Sequence, residues 1–432
     1  MAAIFLRRFF SRSSLGAATA ALVLSSACAD GPVDGADESA ISSVPNSRVK
    51  NQQQTGDCVL YTTLAWIESL TADPTKSFVG SYSPSYLSYW LWFDHILSRY
   101  DANGTRPPTY GYKPYVVRDI VARYGLMQDG AFVYGDDAVA TAQALAFVSA
   151  AYKPGGKLSR PEDRKNPRTV RAVLDAAFEL ELREGLVQAM NAAFGADGSR
   201  RFDVGGNGKS YSQNGVTVVN PAQLVARIKP ASGSNAVRLA NVLGDPDPVN
   251  YASSRARNGA DVWREFYLYQ SAGTTSPEVA PLSRRIQRAL NDDLPLPMTW
   301  SVYPASYAAS LNRYAGPISN DPSTQLGAHA SLFVDYQVDN VPGFGTLFAG
   351  IAATPEQRTA ALDARSKIAF FRIKNSWGTV NAPSSVPKNF QAGYYDLAYD
   401  FLFQPVRQII PGSTLEGGTL QGFTSVLLPP GY

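Results

Sequence analysis

The sequence predicts an α+β protein with two lobes and a cleft between them. Amphipathic helical patterns fill the first half of the chain, and short β-like apolar runs dominate from Met298 onward. The 432 residues are 45% hydrophobic and 17% charged, which is enough apolar material for one large core or two modest ones. Helices and strands that occupy separate parts of a chain are typical of the α+β class.

Helices are predicted from apolar residues that recur at helical spacing and from residues that favour helix starts. Asp57 precedes the first such segment, the pair Ser83-Pro84 starts a second, and longer segments follow. The predicted helices are Cys58 to Leu70, a segment from Ser83 onward, Asp137 to Tyr152, Thr169 to Phe194 and Ser283 to Asn291.

Strands are predicted mainly in the second half, where runs rich in β-branched and aromatic residues cover 298–303, 329–336 and 367–377. Residues 195 to 260 contain Gly, Asn and Ser clusters around short apolar runs such as Val216 to Val219, and we expect loops with a few strands there. The tail from 411 to 432 is rich in Gly and Pro and is expected to wrap the surface.

Residues 1 to 27 have the layout of a secretory signal: arginines, then an apolar stretch, then small residues. We therefore expect an exported bacterial protein. The run Leu24-Ser25-Ser26-Ala27-Cys28 resembles a lipobox, which would place a lipid anchor on Cys28 in the periplasm or at the outer membrane. Ala27-Cys28-Ala29 also fits ordinary signal cleavage, which would release the protein, and Arg7-Arg8 resembles a twin-arginine signal. A polar linker follows over residues 28 to 43.

Composition excludes several classes of function. The formal net charge of +3 is spread without blocks, so no electrostatic footprint for nucleic acid is present. With two Cys and two His in the chain, a zinc site of thiolates and imidazoles is not expected. The run Gly205 to Ser210 lacks the first glycine of a phosphate-binding loop, since Asp203 stands there. We expect no cofactor, and no membrane helix after the signal.

Cys58 is predicted to lie in the first turn of a helix. Unpaired backbone N–H groups and the helix dipole favour the thiolate there and are expected to lower the thiol pKa from about 8.5. Such a thiol can act as a nucleophile near neutral pH. The alternative for a lone cysteine in an apolar helix is an inert buried side chain.

Three segments, in this order, resemble the papain-like cysteine peptidases. Residues 49–58, VKNQQQTGDC, are similar to the family's VKNQGxCGSCW, residues 326–336, LGAHASLFVDY, to its NHAVLIVGY strand, and residues 373–378, IKNSWG, share its N-S-W-G. The resemblance covers about residues 44 to 410. It implies the papain-like two-lobe fold, with the nucleophile helix in a helical lobe and the histidine and asparagine in a β-rich, barrel-like lobe.

The resemblance implies Cys58 as the nucleophile, His329 as its base and Asn375 as the residue that orients the imidazole. Gln52 and the backbone N–H of Cys58 would stabilise the oxyanion of the tetrahedral intermediate. Each residue also has a structural interpretation: a core histidine for His329, a turn for Asn375 and a polar loop for Gln52. The other histidine, His95, lacks such a context and is expected to pack or to lie on a helix surface.

The chain also departs from the family. Thr55 and Val59 replace a cysteine and a tryptophan of the motif, and the histidine and asparagine lie about twice as far from the cysteine as the usual 130 to 150 residues. We therefore expect insertions within about 100–280 and at 337–366, between a helical lobe at about 56–200 and a β-rich lobe at about 281–410. The linker is too short for the family's usual inhibitory propeptide.

The sequence thus predicts a cysteine peptidase that hydrolyses protein or peptide substrates through an acyl-thiolate intermediate. One alternative is a catalytically silent exported binding protein on the same scaffold, although a binding role requires none of the four site residues. Another is a different cysteine acyl-transfer enzyme, such as a transglutaminase or an amidase, which the N-S-W-G motif and Gln52 disfavour.

Overall fold

The structure is a computed structural model. It describes residues 47–72, 80–98, 106–202, 208–229, 231, 236–244, 259–268, 276–316, 318, 321, 324–379, 392–407 and 419–432. All of the described residues belong to one compact unit, Glu38–Tyr432. The predicted signal, Cys28 and the predicted linker lie outside the described residues.

Helices account for most of the described chain up to Phe194. They are α1 (Cys58–Thr71), α2 (Pro84–Leu97), α3 (Pro114–Tyr124), α4 (Asp137–Ala151), α5 (Pro161–Arg164), α6 (Pro167–Ala177), α7 (Glu184–Phe194), α8 (Leu239–Leu243), α9 (Val279–Asn291), α10 (Pro355–Ala360) and α11 (Tyr399–Phe403). The predicted starts of α1, α2 and α4 are confirmed. At α2 the Ser83 hydroxyl accepts a hydrogen bond from the Tyr86 backbone N–H, as expected of a helix cap.

The predicted helix from Thr169 to Phe194 is wrong, because α6 and α7 are separate. Between them Glu179 adopts a left-handed conformation with φ of 54°, and Leu180–Leu182 form a 3-10 turn. Phe178 and Leu180 are both buried. Residues two positions apart lie on nearly opposite sides of an α-helix, so the break lets both side chains enter the core.

The strands are β1 (Leu126–Met127), β2 (Tyr211–Gln213), β3 (Val216–Val219), β4 (Val225–Ala226), β5 (Val237–Arg238), β6 (Arg264–Tyr267), β7 (Leu296–Val302), β8 (Tyr307–Ala308), β9 (Arg313–Tyr314), β10 (Gly327–Val341), β11 (Gly345–Leu347), β12 (Lys367–Lys374), β13 (Tyr394–Ala398), β14 (Val406–Arg407), β15 (Thr419–Leu420) and β16 (Phe423–Leu428). Within the described residues the largest sheet has nine strands, in the order β6-β16-β7-β10-β12-β13-β9-β8, with β11 paired to β10. The chain is therefore a mixed α+β protein, as predicted.

The expected insertion at 337–366 and the expected surface tail both contain regular secondary structure. Residues 337–366 include the end of β10, the short strand β11 and the helix α10, so a hairpin and a helix form there. The tail does not only wrap the surface: β16 pairs with β6 and β7, and Phe423, Val426 and Leu428 are fully buried. The apolar run FTSVLL supplies a strand between Gly- and Pro-rich flanks.

Buried apolar side chains of the helices and of the largest sheet form one connected cluster in the described part of the chain. It includes Trp66 and Trp90 on the helical side and Trp300 on β7, all nearly inaccessible to solvent. Among the described helices, none is long and apolar enough to cross a bilayer.

Candidate active site

The antiparallel register of β10 and β12 brings His329 and Asn375 together. Leu332 pairs with Lys374, the last residue of β12, so Asn375 follows at the level of Ser331. His329 and Ser331 are two residues apart on one strand and share a face of the sheet. The side chains of His329, Ser331 and Asn375 therefore meet at one end of the two strands.

The imidazole of His329 is hydrogen-bonded to Asn375, with 2.6 Å between Nε2 and Oδ1. The backbone N–H of Ser376 donates to the same Oδ1 over 2.8 Å, which identifies this atom as the amide oxygen. An amide oxygen only accepts, so Nε2 of His329 carries the proton. In the neutral ring, Nδ1 is consequently the nitrogen that can accept a proton.

Aromatic rings shield this hydrogen bond. The Trp377 ring lies 4.7 Å from the His329 ring, centroid to centroid, and the Trp300 ring approaches edge-on at 5.8 Å. His329 is 6% exposed and Asn375 4%. A hydrogen bond in such a water-poor environment is electrostatically stronger than one in solvent.

Cys58 lies at the first position of α1, as predicted. The helix starts at the carbonyl of Asp57, which accepts hydrogen bonds from Leu60 N–H at 2.8 Å and Tyr61 N–H at 3.3 Å. The thiol is buried and lies close to the backbone of Ala330, the residue after His329 on β10. The structure thus brings the sulfur beside the strand of the histidine. Within the described residues, however, no hydrogen bond joins the Cys58 sulfur to the His329 ring.

Burial dominates the ionisation of both groups. It raises the pKa of the Cys58 thiol to about 11, although hydrogen bonds from the backbone of Ala330, Val59 and Cys58 itself act to lower it. It lowers the pKa of His329 to about 4, although the hydrogen bond that the ring donates to Asn375 acts to raise it. The expected lowering of the thiol pKa is therefore wrong, because desolvation outweighs the helix N-terminus. At neutral pH both groups are uncharged.

Gln52 reaches the site through a short antiparallel contact between the segment before the nucleophile and the segment after Asn375. The backbone N–H of Gln52 donates to the Ser376 carbonyl over 2.7 Å, and that of Gly378 donates to the Lys50 carbonyl over 3.2 Å. Asn51 and Trp377 form an isolated antiparallel β-bridge between these two bonds. Gly378 has a φ of 74°, and a Cβ there would lie 3.0 Å from the Asn51 side chain. Glycine is required for this approach.

The Gln52 side chain is held at both ends. Its Nε2 donates to the Thr55 carbonyl over 2.6 Å, and its Oε1 accepts from the Ser376 hydroxyl. An amide nitrogen has two N–H donors, so one remains after the bond to Thr55. Ser376 was not predicted as a site residue, although it belongs to the N-S-W-G motif that identified Asn375.

A buried cluster of charged side chains, Lys374, Glu68 and Lys50, lies next to Asn375 in the chain fold. The Lys374 ammonium donates to Ser47, whose hydroxyl donates to the Glu68 carboxylate. Glu68 also accepts from the Lys50 ammonium at 3.0 Å and from the Tyr82 backbone N–H at 2.8 Å. These contacts tie the start of the described chain to the end of β12. The sequence alone does not predict this cluster, because Lys50 and Lys374 are isolated lysines far apart in the chain.

The remaining candidate groups lie elsewhere. His95 is in the last turn of α2, half-buried, with its ring 5.9 Å from that of Tyr112. The Asp203 region lies outside the described residues. In the ranges that the structure covers, no three His, Cys, Asp or Glu side chains converge as metal ligands would.

Comparison with known proteins gives structural neighbours only. No family model matches the chain, and no curated protein matches it. The chain is similar to the crystal structure of xylellain, a cysteine protease from Xylella fastidiosa, with a TM-score of 0.35 and 15% identity over 90% of this chain and 85% of that one. It is also similar to pepw from Lactobacillus rhamnosis, with a TM-score of 0.38 and 10% identity over 89% of this chain and 80% of that one. Both TM-scores are low, so the site rests on the chain's own geometry.

Proposed function

We propose that the protein is a cysteine peptidase of papain-like, two-lobed architecture, with Cys58 as nucleophile, His329 as base and Asn375 as the orienting residue. The hydrogen bond of 2.6 Å between His329 and Asn375 carries the proposal. This bond uses Nε2 of His329, so Nδ1 of the neutral imidazole is left to accept a proton. The next residue on the same strand, Ala330, lies against the Cys58 thiol. A cysteine that attacks a carbonyl requires a base held in this tautomer.

In the proposed reaction the Cys58 sulfur forms a bond to the carbonyl carbon of the substrate while its proton passes to Nδ1 of His329. The imidazolium then donates that proton to the amine as the C–N bond breaks, which leaves a thioester on Cys58. Water, deprotonated by the same imidazole, attacks the thioester and releases the acid. Sulfur and imidazole return to their neutral forms, and no cofactor enters the reaction.

The negative oxygen of the tetrahedral intermediate would be stabilised by the Cys58 backbone N–H and the remaining N–H of Gln52. Support comes from the two contacts that fix the Gln52 amide, one to Thr55 and one to Ser376. A preorganised donor of this kind is worth roughly 3 to 4 kcal/mol of transition-state stabilisation.

A catalytically silent binding protein is the second candidate. The neutral thiol and imidazole, and the missing hydrogen bond between them among the described contacts, favour it. Peptidase action requires the sulfur and the ring to approach when substrate binds, as catalytic hydrogen bonds often tighten only in the complex. The two candidates therefore differ in whether the thiol reacts under the control of His329.

The test uses a Cys28→Ser background, in which Cys58 is the sole thiol of the chain. The protein is treated with an epoxide or vinyl-sulfone thiol trap and assayed on casein and a peptide library, beside Cys58→Ala and His329→Ala. We expect labelling and cleavage in the parent, neither in Cys58→Ala, and strongly slowed labelling in His329→Ala. The variant Asp363→Asn, at a partly exposed carboxylate that pairs with Arg365, serves as the control and should behave as the parent.

A parent that cleaves nothing, with labelling indifferent to His329→Ala, would establish the silent binding protein. Cleavage that survives Cys58→Ala would assign the activity to other residues.

We also propose that the protein is exported, with Cys28 either lipidated or removed with the signal. Support comes only from the sequence of residues 1 to 29. Mass spectrometry of the N-terminus of the mature protein distinguishes a lipidated Cys28, a chain cut after Ala29, and an unprocessed chain, of which the last contradicts export by this signal.

A further inference from the structure

Asp57, directly before the nucleophile, is a buried carboxyl that neither the proposed mechanism nor the helix uses. It occupies the cap position of α1 but its side chain makes no capping hydrogen bond, and its φ of −94° and ψ of 19° differ from the extended cap geometry. It is 3% exposed. Nowhere in the described ranges does a hydrogen bond or an ion pair to its carboxyl occur.

The groups that face Asp57 are all neutral or acidic. On its own helix these are the Cys58 thiol and the Tyr61 phenol, and on the packed segment 106–113 it is the Tyr110 phenol. Tyr110 packs so closely on Gly56 that a Cβ there would lie 2.7 Å from the Tyr110 Cβ. From β10 the Ala330 backbone contacts the Cys58 sulfur. No cation among the described residues offsets a charge on Asp57.

Two acids thus share one buried helix N-terminus. Burial raises the pKa of Asp57 to about 7, and an ionised Asp57 in turn raises the pKa of Cys58. Two adjacent groups of this kind cannot both lose their protons easily, because the second negative charge is repelled by the first. The single imidazolium that the site can form would balance one negative charge.

We propose that Asp57 controls the nucleophile: the Cys58 thiol gives up its proton readily only while the Asp57 carboxyl keeps its own. Asp57 acts through the thiol and does not touch substrate. On the proposed function, this sets the upper pH limit of peptide hydrolysis near neutrality, because above it Asp57 ionises and holds the proton on the sulfur. The lower pH limit of hydrolysis is set by protonation of His329.

The test measures the thiol directly. Protein labelled with [3-13C]cysteine in the Cys28→Ser background gives one Cβ resonance, whose shift is followed from pH 4 to about 12 in the parent and in Asp57→Asn, because the parent thiol has a pKa of about 11. We expect the thiol midpoint to fall by roughly one pH unit in Asp57→Asn, which means about tenfold more thiolate at a given pH below the midpoint. Asp57→Ser, with a residue preferred at helix caps, provides a second variant should the first fold poorly.

The matched control is Asp136→Asn at the cap of α4, where the aspartate does cap the helix through Ala138 N–H at 2.8 Å and Val139 N–H at 3.1 Å. It should leave the thiol midpoint unchanged. Equal midpoints in the parent, Asp57→Asn and Asp57→Ser would overturn the inference. Should the midpoint fall as expected while no variant cleaves peptides, the proposed function fails and the control by Asp57 stands. With active protein, the alkaline limb of kcat/KM should move upward in Asp57→Asn.

Discussion

The candidate site has two parts, the pair His329 and Asn375 and the nucleophile candidate Cys58, and different interactions position them. His329 and Asn375 are placed by strand register and joined by a hydrogen bond of 2.6 Å. Cys58 is placed by the packing of a helix against β10, without a hydrogen bond to the ring in the described structure. The first half is therefore oriented in the structure as it stands, whereas in the proposed mechanism the second would require a small movement and a proton transfer that burial opposes.

This difference shows that orientation and ionisation can be separated in one site. Strand pairing places the imidazole, and the Asn375 amide oxygen fixes its tautomer, with no need for charge. Burial of the same site, which strengthens that hydrogen bond, also disfavours the ion pair that the thiol chemistry would use. Variants can weaken each half in turn.

The largest effect is expected from Asn375→Ala, which removes the oriented half. Without Oδ1 the imidazole can rotate and lose its tautomer, so kcat should fall about 100-fold to 1,000-fold with KM little changed. Steady-state kinetics on a peptide substrate measure this. Ser331→Ala is the control: it loses a contact of 3.4 Å to the same oxygen and the hydrogen bond of 3.1 Å that Ser331 accepts from the Trp300 indole, but it leaves the bond between His329 and Asn375 in place. Its kcat should fall less than about tenfold. A comparable loss in both variants would contradict the orienting role.

The next effect concerns acid stability. Because the pKa of His329 falls from 6.5 to about 4 on folding, the unfolded chain binds the additional proton between these values and acid favours unfolding. The wild type should therefore lose about 3 kcal/mol more of its free energy of unfolding between pH 6.5 and 4 than His329→Gln does. Urea unfolding at both pH values measures the difference. Burial also raises the pKa of Asp57 and of Asp335 on β10 to about 7, but these two carboxyls affect both proteins equally and cancel in the comparison. Parallel pH profiles would show that the ring is not buried as described.

A smaller effect is expected in the contact that brings Gln52 to the site. Gly378→Ala introduces a Cβ at a φ of 74° and 3.0 Å from Asn51, and should lower the free energy of unfolding by about 1 to 2 kcal/mol. Gly316→Ala has a similar φ of 77° with nothing within 4 Å, so it isolates the conformational strain. If the two variants unfold at the same denaturant concentration, the close approach of residue 378 to Asn51 does not contribute to the loss of stability.

The smallest effect is expected from Ser376→Ala, which removes one of the two contacts that hold the Gln52 amide. A hydrogen bond is worth about 1 kcal/mol net, so kcat/KM should fall about fivefold. Ser212→Ala, which removes an exposed hydroxyl paired with Thr217, is the control. An unchanged kcat/KM in Ser376→Ala would mean that the bond to Thr55 suffices to hold Gln52.

Local patterns predicted the elements that carry the site. The start of α1 at Cys58, the cap of α2 at Ser83 and the strands that hold His329 and precede Asn375 follow from periodicity and capping chemistry. The hydrogen bond between His329 and Asn375 could be expected from motif order. Such features depend on neighbours in the sequence or on a motif short enough to recognise.

Long-range and environmental features were not accessible in this way. The amphipathic pattern continues across Glu179, yet the core draws in both Phe178 and Leu180 and breaks the helix. The pairing of β16 with β6 and β7 joins segments far apart in the chain. The thiol pKa was predicted from the helix N-terminus alone, while the depth of burial, which reverses its direction, is a property of the folded chain.

The contact between Gln52 and Ser376 spans 324 residues. At synthesis rates of roughly 5 to 20 residues per second, the nucleophile segment would wait on the order of 20 to 60 s before its partner exists. A chain still on the ribosome therefore has a thiol but no oriented imidazole and no fixed amide donor. On the proposed function, peptide hydrolysis would therefore become possible only once nearly the whole polypeptide has been made.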